Sequence, residues 1–294
     1  MDLAYLRAHP EHLPTFLTHQ RIRETPVGGG SVSAASRLTL DDGTSIFAKT
    51  WPEGSTAPDG FFAAEAAGLE WLRSAGAIGV PEVLVAVPSM IAMEWIEPGS
   101  ASRAAASRFG RELAALHRSG ADAFGAPWPG FIGPLPLDNT MTTGPWGPWF
   151  AERRLLPYLK KSADSGALTA TDVAVLDGIL KNLFSYAVSE PPSRTHGDLW
   201  PGNVLWAAGD RAWLVDPAAQ GGHRETDLAE LALFGGVPHL DAVIGAYDDV
   251  YPLADGWRER VPLHQLHLLL VHTAAFGGSY REAVMSAARA AFAA

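Results

Sequence analysis

The sequence predicts an α+β protein of two lobes, a small one built on an antiparallel sheet and a larger, mostly helical one. Three observations carry this. Strand-like alternation and tight turns concentrate in residues 1–96. Helical periodicity dominates residues 97–294. The length of 294 residues exceeds one small core and suits one two-lobed unit or two domains.

In the small lobe, the Gly-rich turn Gly28-Gly29-Gly30 precedes Ser36-Arg37-Leu38-Thr39-Leu40, which alternates polar and apolar as a half-buried strand does. Asp41-Asp42-Gly43-Thr44 is a hairpin turn signal, and Ser45-Ile46-Phe47-Ala48-Lys49 is the returning strand. Residues 51–60 hold Pro52, Gly54, Ser55, Pro58 and Gly60 and predict a loop. Phe62, Ala66, Leu69 and Leu72 recur at helical spacing over residues 61–74, and Gly76 with Gly79-Val80-Pro81 ends that helix. Apolar runs at 83–87 and 90–96, split by Pro88-Ser89, predict a second hairpin.

The character changes after Glu97-Pro98-Gly99. Residues 103–118 predict an Ala-rich helix with Phe109, Leu113 and Leu116 on one face. Residues 120–149 are rich in Pro, Gly and Trp without a period, and predict an irregular excursion whose Trp128, Trp146 and Trp149 are candidates for shaping a polyol site. Residues 149–161 and 169–188 predict helices, and Trp213-Leu214-Val215 a short strand. From Thr226 on the chain reads as helical, with breaks at Gly235-Gly236, Pro252 and Gly277-Gly278.

Bulk properties exclude several functions. The formal net charge of -10 gives no general attraction for phosphate backbones, so no nucleic-acid partner is expected. With no cysteine, disulfides, thiolate catalysis and cysteine-ligated metals are ruled out. Residues 1–13 carry Asp2, Arg7, His9 and Glu11 around no apolar core, so they do not resemble a signal peptide. The apolar stretch 263–276 is interrupted by His264, Gln265, His267 and His272 and is too short and polar to span a bilayer. A cytoplasmic protein without a membrane partner is expected. The spacing of the ten histidines suggests no metal cluster.

The chemistry concentrates in His196-Gly197-Asp198-Leu199-Trp200-Pro201-Gly202-Asn203. Phosphoryl transfer to an alcohol needs a carboxylate to orient the hydroxyl and take its proton, and oxygen ligands for magnesium. Asp198 suits the first task. Asn203 and Asp216, the latter after an apolar strand, suit the second. Asp-x-x-x-x-Asn with a strand-borne Asp is the arrangement kinases use. Each residue alone is equally a turn, a cap or a strand end; the three together favour phosphoryl transfer. Upstream, Lys49 ends a strand and can reach ATP phosphates, with Glu65 on the next helix as its partner. Gly28, Gly29 and Gly30 match no phosphate-loop fingerprint, but a Gly turn can offer backbone N–H groups to phosphate. Met93, Glu94, Trp95 and Ile96, at the crossing between lobes, are placed to meet adenine.

With these residues in place, the chain resembles the fructosamine kinase (ketosamine-3-kinase) family nearly end to end. The family-like stretches include Phe47-Ala48-Lys49, Ala63-Ala64-Glu65, the loop 196–203, Gly222-His223-Arg224-Glu225-Thr226-Asp227-Leu228-Ala229 and Phe276-Gly277-Gly278-Ser279-Tyr280. The Leu-Trp-x-Gly-Asn form of the loop is the most specific marker. The resemblance implies a protein-kinase-like fold, ATP and Mg2+ as cofactors, and transfer to the 3-hydroxyl of a ketosamine such as fructosamine or ribulosamine, free or on a glycated lysine. It implies Asp198 as proton acceptor, Asn203 and Asp216 as metal ligands, Lys49 and Glu65 as the phosphate-positioning pair, and residues 93–96 as the adenine hinge. His196, Trp200, Arg224, Glu225 and Trp257 are the candidates for contact with substrate. Val215-Asp216-Pro217 departs from the Asp-Phe-Gly of protein kinases, and the lack of cysteine removes any thiol switch in the phosphate loop. Two other readings stay open: a kinase of the same fold for an aminoglycoside, choline-like or thiosugar acceptor, and a catalytically inactive nucleotide-binding protein. A monomer is expected.

Overall fold

The computed structural model describes residues 1–19, 22–28, 32–52, 54–185 and 190–293. Gly29 and Gly30 of the expected phosphate turn, and the end of the helix expected over 169–188, lie outside them.

The small lobe carries a five-stranded sheet of β1 (Arg23–Pro26), β2 (Ala34–Thr39), β3 (Ser45–Thr50), β4 (Val83–Val87) and β5 (Met90–Glu94). The order is β1-β2-β3-β5-β4, and each pairing is antiparallel. Both expected hairpins are present. The edge strand β1 and two short helices before it, α1 (Leu3–Ala8) and α2 (Leu13–Thr18), carry too few residues to show a period in the sequence.

Alternation along the strands gives the sheet two different faces. Ile46 and Ala48 of β3 join Leu38 and Ala92 against Leu6 and Leu13 of the N-terminal arm. Phe47 and Lys49 face the opposite way, toward the cleft between the lobes. There α3 (Phe61–Ser74) packs through Phe62, Ala66, Leu69 and Leu72, all buried in the central core. Each such leucine contributes about 1.5–3 kcal/mol. The same helix holds Glu65 over the cleft.

The larger lobe contains α4 (Arg103–Arg118), the hairpin β6 (Gly130–Ile132) and β7 (Leu135–Leu137), α5 (Trp146–Phe150), α6 (Leu156–Asp164) and α7 (Ala170–Ser185). It continues through β8 (Ser193–Thr195), β9 (Val204–Ala207), β10 (Arg211–Leu214) and β11 (Gln220–Gly222). It ends with α8 (Arg224–Glu230), α9 (Leu240–Val250), α10 (Trp257–Phe276) and α11 (Arg281–Ala293). Ser102 caps α4, its hydroxyl accepting the Ala105 N–H at 3.0 Å. Gly110 lets α4 lie against α9: a Cβ there would stand 2.1 Å from the Val243 carbonyl oxygen. Among the described residues no helix is long and apolar enough to cross a membrane.

Two expectations change. The irregular excursion over 120–149 contains the β6–β7 hairpin, whose three-residue strands are too short to register as a pattern. The helix expected over 149–161 is three pieces: α5, a wider π-helical turn (Ala151–Leu155) and α6. Pro157 sits in the first turn of α6 and has no N–H to continue the ladder, which accounts for the break.

Candidate active site

The lobes enclose a cleft of about 550 Å³. Its roof is Gly28, Val32, Ala35, Phe47 and Lys49, and its back is Met93, Glu94, Trp95 and Ile96. The far end is Trp128 to Gly133, and the floor is Asp198, Trp200, Asn203 and Asp216.

Lys49 Nζ donates to Glu65 Oε1 at 2.6 Å and to Asp216 Oδ1 at 2.5 Å. Burial opposes the ammonium charge, but the Asp216 and Glu65 carboxylates outweigh it and hold the group above its ordinary range. Lys49 is therefore a fixed cation in the roof. Asp216 stands at φ 55, a left-handed conformation that few non-glycine residues adopt, directly before Pro217. Such strain costs on the order of 1 kcal/mol and is characteristic of functional positions.

The loop 196–203 is braced from below. Asp227 on α8, fully buried, accepts the N–H groups of His196 (2.7 Å) and Gly197 (2.9 Å) and contacts His117 Nε2 at 3.1 Å. Glu230, one turn on, accepts the Leu199 N–H at 2.7 Å. Burial opposes the charge on Asp227, yet the hydrogen bonds from His117 and the loop amides hold its carboxyl below the ordinary value. Burial and the nearby Asp227 and Asp198 push Glu230 well above its own. Gly197 turns the loop at φ +79, where a Cβ would lie 2.3 Å from the Ala218 carbonyl oxygen.

Asp198 emerges from this brace partly exposed. Its Oδ1 is buried without a hydrogen-bond partner, whereas Oδ2 accepts the Asn203 amide at 3.1 Å. Burial and the Asp216 carboxylate push its pKa well above the ordinary value, against the opposing pull of Asn203. The Asn203 Nδ2 also donates to the Asp198 carbonyl at 2.8 Å, so its amide oxygen is the atom left for another partner. Asp216 and Asn203 thus form an all-oxygen donor set, which fits magnesium and not a softer metal.

The structure brings Gly28, Lys49, Glu65, Met93, Glu94, Trp95, Ile96, Asp198, Trp200, Asn203 and Asp216 to one cleft. Four candidates for substrate contact are not on its wall. His196 is buried beneath it: Nε2 donates to the Val215 carbonyl at 2.9 Å and Nδ1 accepts the Asp198 N–H at 3.3 Å. Burial lowers its pKa and keeps it neutral, so it works as a strut between the segments bearing Asp198 and Asp216. Arg224 is locked to Glu190 at 2.6 and 2.9 Å, and Glu225 to Arg260 at 2.6 and 2.8 Å. Trp257 opens α10, where Arg258 lies over its ring. Of the three tryptophans considered for a polyol site, Trp128 lines the cleft, whereas Trp146 and Trp149 are buried in the core of the larger lobe.

Sequence reasoning assigned no role to Asp227 or Glu230. Their three-residue spacing on α8 is visible in the chain, but an acidic pair on a helix is ordinarily a solvated face.

The family model for fructosamine kinase matches residues 11–293. The crystal structure of a candidate fructosamine-3-kinase from Thermobifida fusca aligns with a TM-score of 0.88 at 49% identity, covering 93% of this chain and 94% of that one. A probable ketoamine kinase of Enterococcus faecium is 32% identical over 87% of this chain and 90% of its own length. The chloroplastic protein-ribulosamine 3-kinase of Arabidopsis thaliana is 34% identical over 88% of this chain and 79% of its own length. The fold is that of the protein-kinase-like phosphotransferases, and the chain belongs to the fructosamine kinase family.

Proposed function

We propose that this kinase transfers the γ-phosphoryl group of ATP to the 3-hydroxyl of a ketosamine such as fructosamine or ribulosamine. The observation that carries the reading is that Asp198 lines the same cleft as the Lys49–Asp216 ion pair, with one carboxylate oxygen, Oδ1, engaged by no hydrogen bond. A proton acceptor and a phosphate-binding cation then share one cavity.

On this reading the two lobes divide the labour. Residues 1–96 form the nucleotide-binding lobe and residues 97–294 the catalytic and acceptor lobe. Met93 to Ile96 line the back of the cleft, where β5 has just ended at Glu94 and backbone groups can meet adenine. Gly28 approaches phosphate without a side chain. Lys49, kept extended by Glu65, positions the phosphates. Asn203 and Asp216 would hold magnesium, which supplies neutralisation of the phosphate charge. Asp198 orients the acceptor hydroxyl and takes its proton, and its raised pKa makes it a stronger base than an ordinary aspartate. His196 fixes the Asp198 backbone to the Val215 carbonyl, so the base and the metal-binding carboxylate keep their spacing.

Trp200 gives the acceptor end an aromatic wall. Behind it, 5.9 Å away and edge-on, stands Phe234, itself held at φ 53 and largely exposed. A flat apolar wall beside a carboxylate suits a sugar ring bearing a secondary ammonium.

An ATP-consumption screen over ketosamines and aminoglycosides tests this. Turnover confined to ketosamines is expected. Turnover on aminoglycosides with none on ketosamines would overturn the substrate assignment.

A further inference from the structure

Away from the cleft, folding draws two sets of histidine and carboxylate donors together among the described residues. His223, Glu225 and His264 meet in the interior, and His9, Glu11 and His12 meet at the surface. The histidine spacing suggests no metal cluster, and folding nonetheless brings the donor atoms of each set within 4.8 Å of one another. The two sets differ in what their donor atoms already do.

In the interior set, both Glu225 oxygens accept from the Arg260 guanidinium. His223 Nδ1 accepts the Glu225 backbone N–H at 3.2 Å, which puts its ring proton on Nε2. A protonated nitrogen and a carboxylate already paired with arginine make poor ligands, and the guanidinium repels an entering cation. That set is a buried ion-pair network in which Arg260 already takes both Glu225 oxygens, although His264 Nε2 has no hydrogen bond of its own.

The surface set is arranged otherwise. We propose that His9, Glu11 and His12 form a binding site for a divalent transition-metal cation, with zinc the best fit. Glu11 Oε1 lies 3.7 Å from His9 Nδ1 and 3.6 Å from His12 Nε2. Ligands bonded to tetrahedral zinc at about 2.0–2.1 Å stand roughly 3.3 Å from one another, so small side-chain shifts close the site. The two imidazoles lie 5.2 Å apart between centroids and 14° from parallel, so one ring has to turn for both in-plane lone pairs to meet at one cation. His9 caps the end of α1, and Pro10 opens the tight 3-10 turn Pro10–His12, so a rigid backbone sets the spacing. His12 Nδ1 lies 2.8 Å from Tyr5 Oη. With that hydroxyl oxygen accepting Nδ1–H, the Nε2 lone pair points toward Glu11, the outer hydrogen bond that metal-ligating histidines use. Glu11 and both histidines are exposed enough for water to complete the coordination.

The location gives the site a role. The arm carrying it places Leu6 and Leu13 on the sheet face opposite the cleft. A cation here joins the end of α1 to the turn that leads into α2 and fixes the angle between the two segments that carry Leu6 and Leu13; it stabilises the arm's own conformation and takes no part in phosphoryl transfer.

The test uses untagged, metal-free, nucleotide-free protein, titrated with zinc against a chromophoric chelator and with cobalt(II) for its visible absorption. Wild type is expected to take up one equivalent of zinc and to melt at higher temperature with it. The surface variant His9→Ala/His12→Ala should fold, keep its ATP turnover, and lose at least about tenfold in zinc affinity together with the zinc-dependent rise in melting temperature. Glu11→Gln should weaken binding in the same direction. No uptake by wild type from a stoichiometric excess of zinc overturns the proposal. Equal uptake by the double variant overturns it too, because the cation then sits on other donors.

Discussion

Lys49 Nζ lies 2.5 Å from Asp216 Oδ1, and this contact ties the sheet of the small lobe to the loop after β10. Lys49 and Glu65 have side chains only 8% and 10% exposed, so their pairing is shielded from water, whereas Asp216 is 44% exposed and free to exchange partners. The lysine is the pivot on which roof and floor meet. Lys49→Met should leave Glu65 buried without a counter-charge, cost about 3 kcal/mol of stability, and reduce turnover at least about a hundredfold. Lys49→Met/Glu65→Gln should recover most of the stability and none of the activity. Thermal denaturation alongside steady-state kinetics separates the two effects.

Asp198→Ala should abolish phosphoryl transfer and leave ATP binding largely intact. Asp198→Asn should do the same and, in addition, melt at or above the wild-type temperature. The sign follows from the raised pKa. The unfolded chain ionises this group above about pH 4, before the folded protein does, so wild type loses stability as pH rises through that interval. The advantage of Asn should therefore grow with pH and then level off. Melting curves across the pH range check it; an advantage that shrinks as pH rises would contradict the assignment.

Asp227 should matter as much as a residue that touches substrate, without touching it. Asp227→Ala leaves the N–H groups of His196 and Gly197 buried without an acceptor, at about 1–3 kcal/mol each. A fall in kcat larger than the change in KM for ATP is expected. Faster amide exchange at residues 196–199 should accompany it. Asp227→Asn keeps one acceptor oxygen and should fall between Ala and wild type.

Gly197→Ala should lose activity more steeply than its size suggests. The residue is in left-handed conformation, and the added methyl meets the Ala218 carbonyl oxygen. The loop has to shift, and Asp198 shifts with it. Turnover is expected to fall at least about a hundredfold, with ATP affinity less affected.

Much of this was legible in the chain because it depends on local pattern. The alternation of 45–49, the period of 61–74 and 103–118, and the Asp198–Asn203 spacing each predict what forms there. What the sequence hid depends on long-range packing. His196 looks like a cleft residue beside Asp198, yet Val215, 19 positions away, turns it inward. Arg224 and Glu225 read as candidates for substrate contact until Glu190 and Arg260 close on them. Asp227 and Glu230 became visible only when α8 was seen to lie under the loop. Trp146 and Trp149 read as pocket walls because nothing local distinguishes a buried indole from one lining a cavity.

The central claim is that Asp198 directs phosphate to the 3-hydroxyl of a ketosamine. The most direct measurement is phosphorus–proton correlation NMR of the product formed from ATP and fructosyl-lysine, with wild type and Asp198→Ala in parallel. Phosphate coupled to the proton on C3, formed by wild type alone, is the predicted result. Phosphate on another carbon, or equal product from Asp198→Ala, would contradict it.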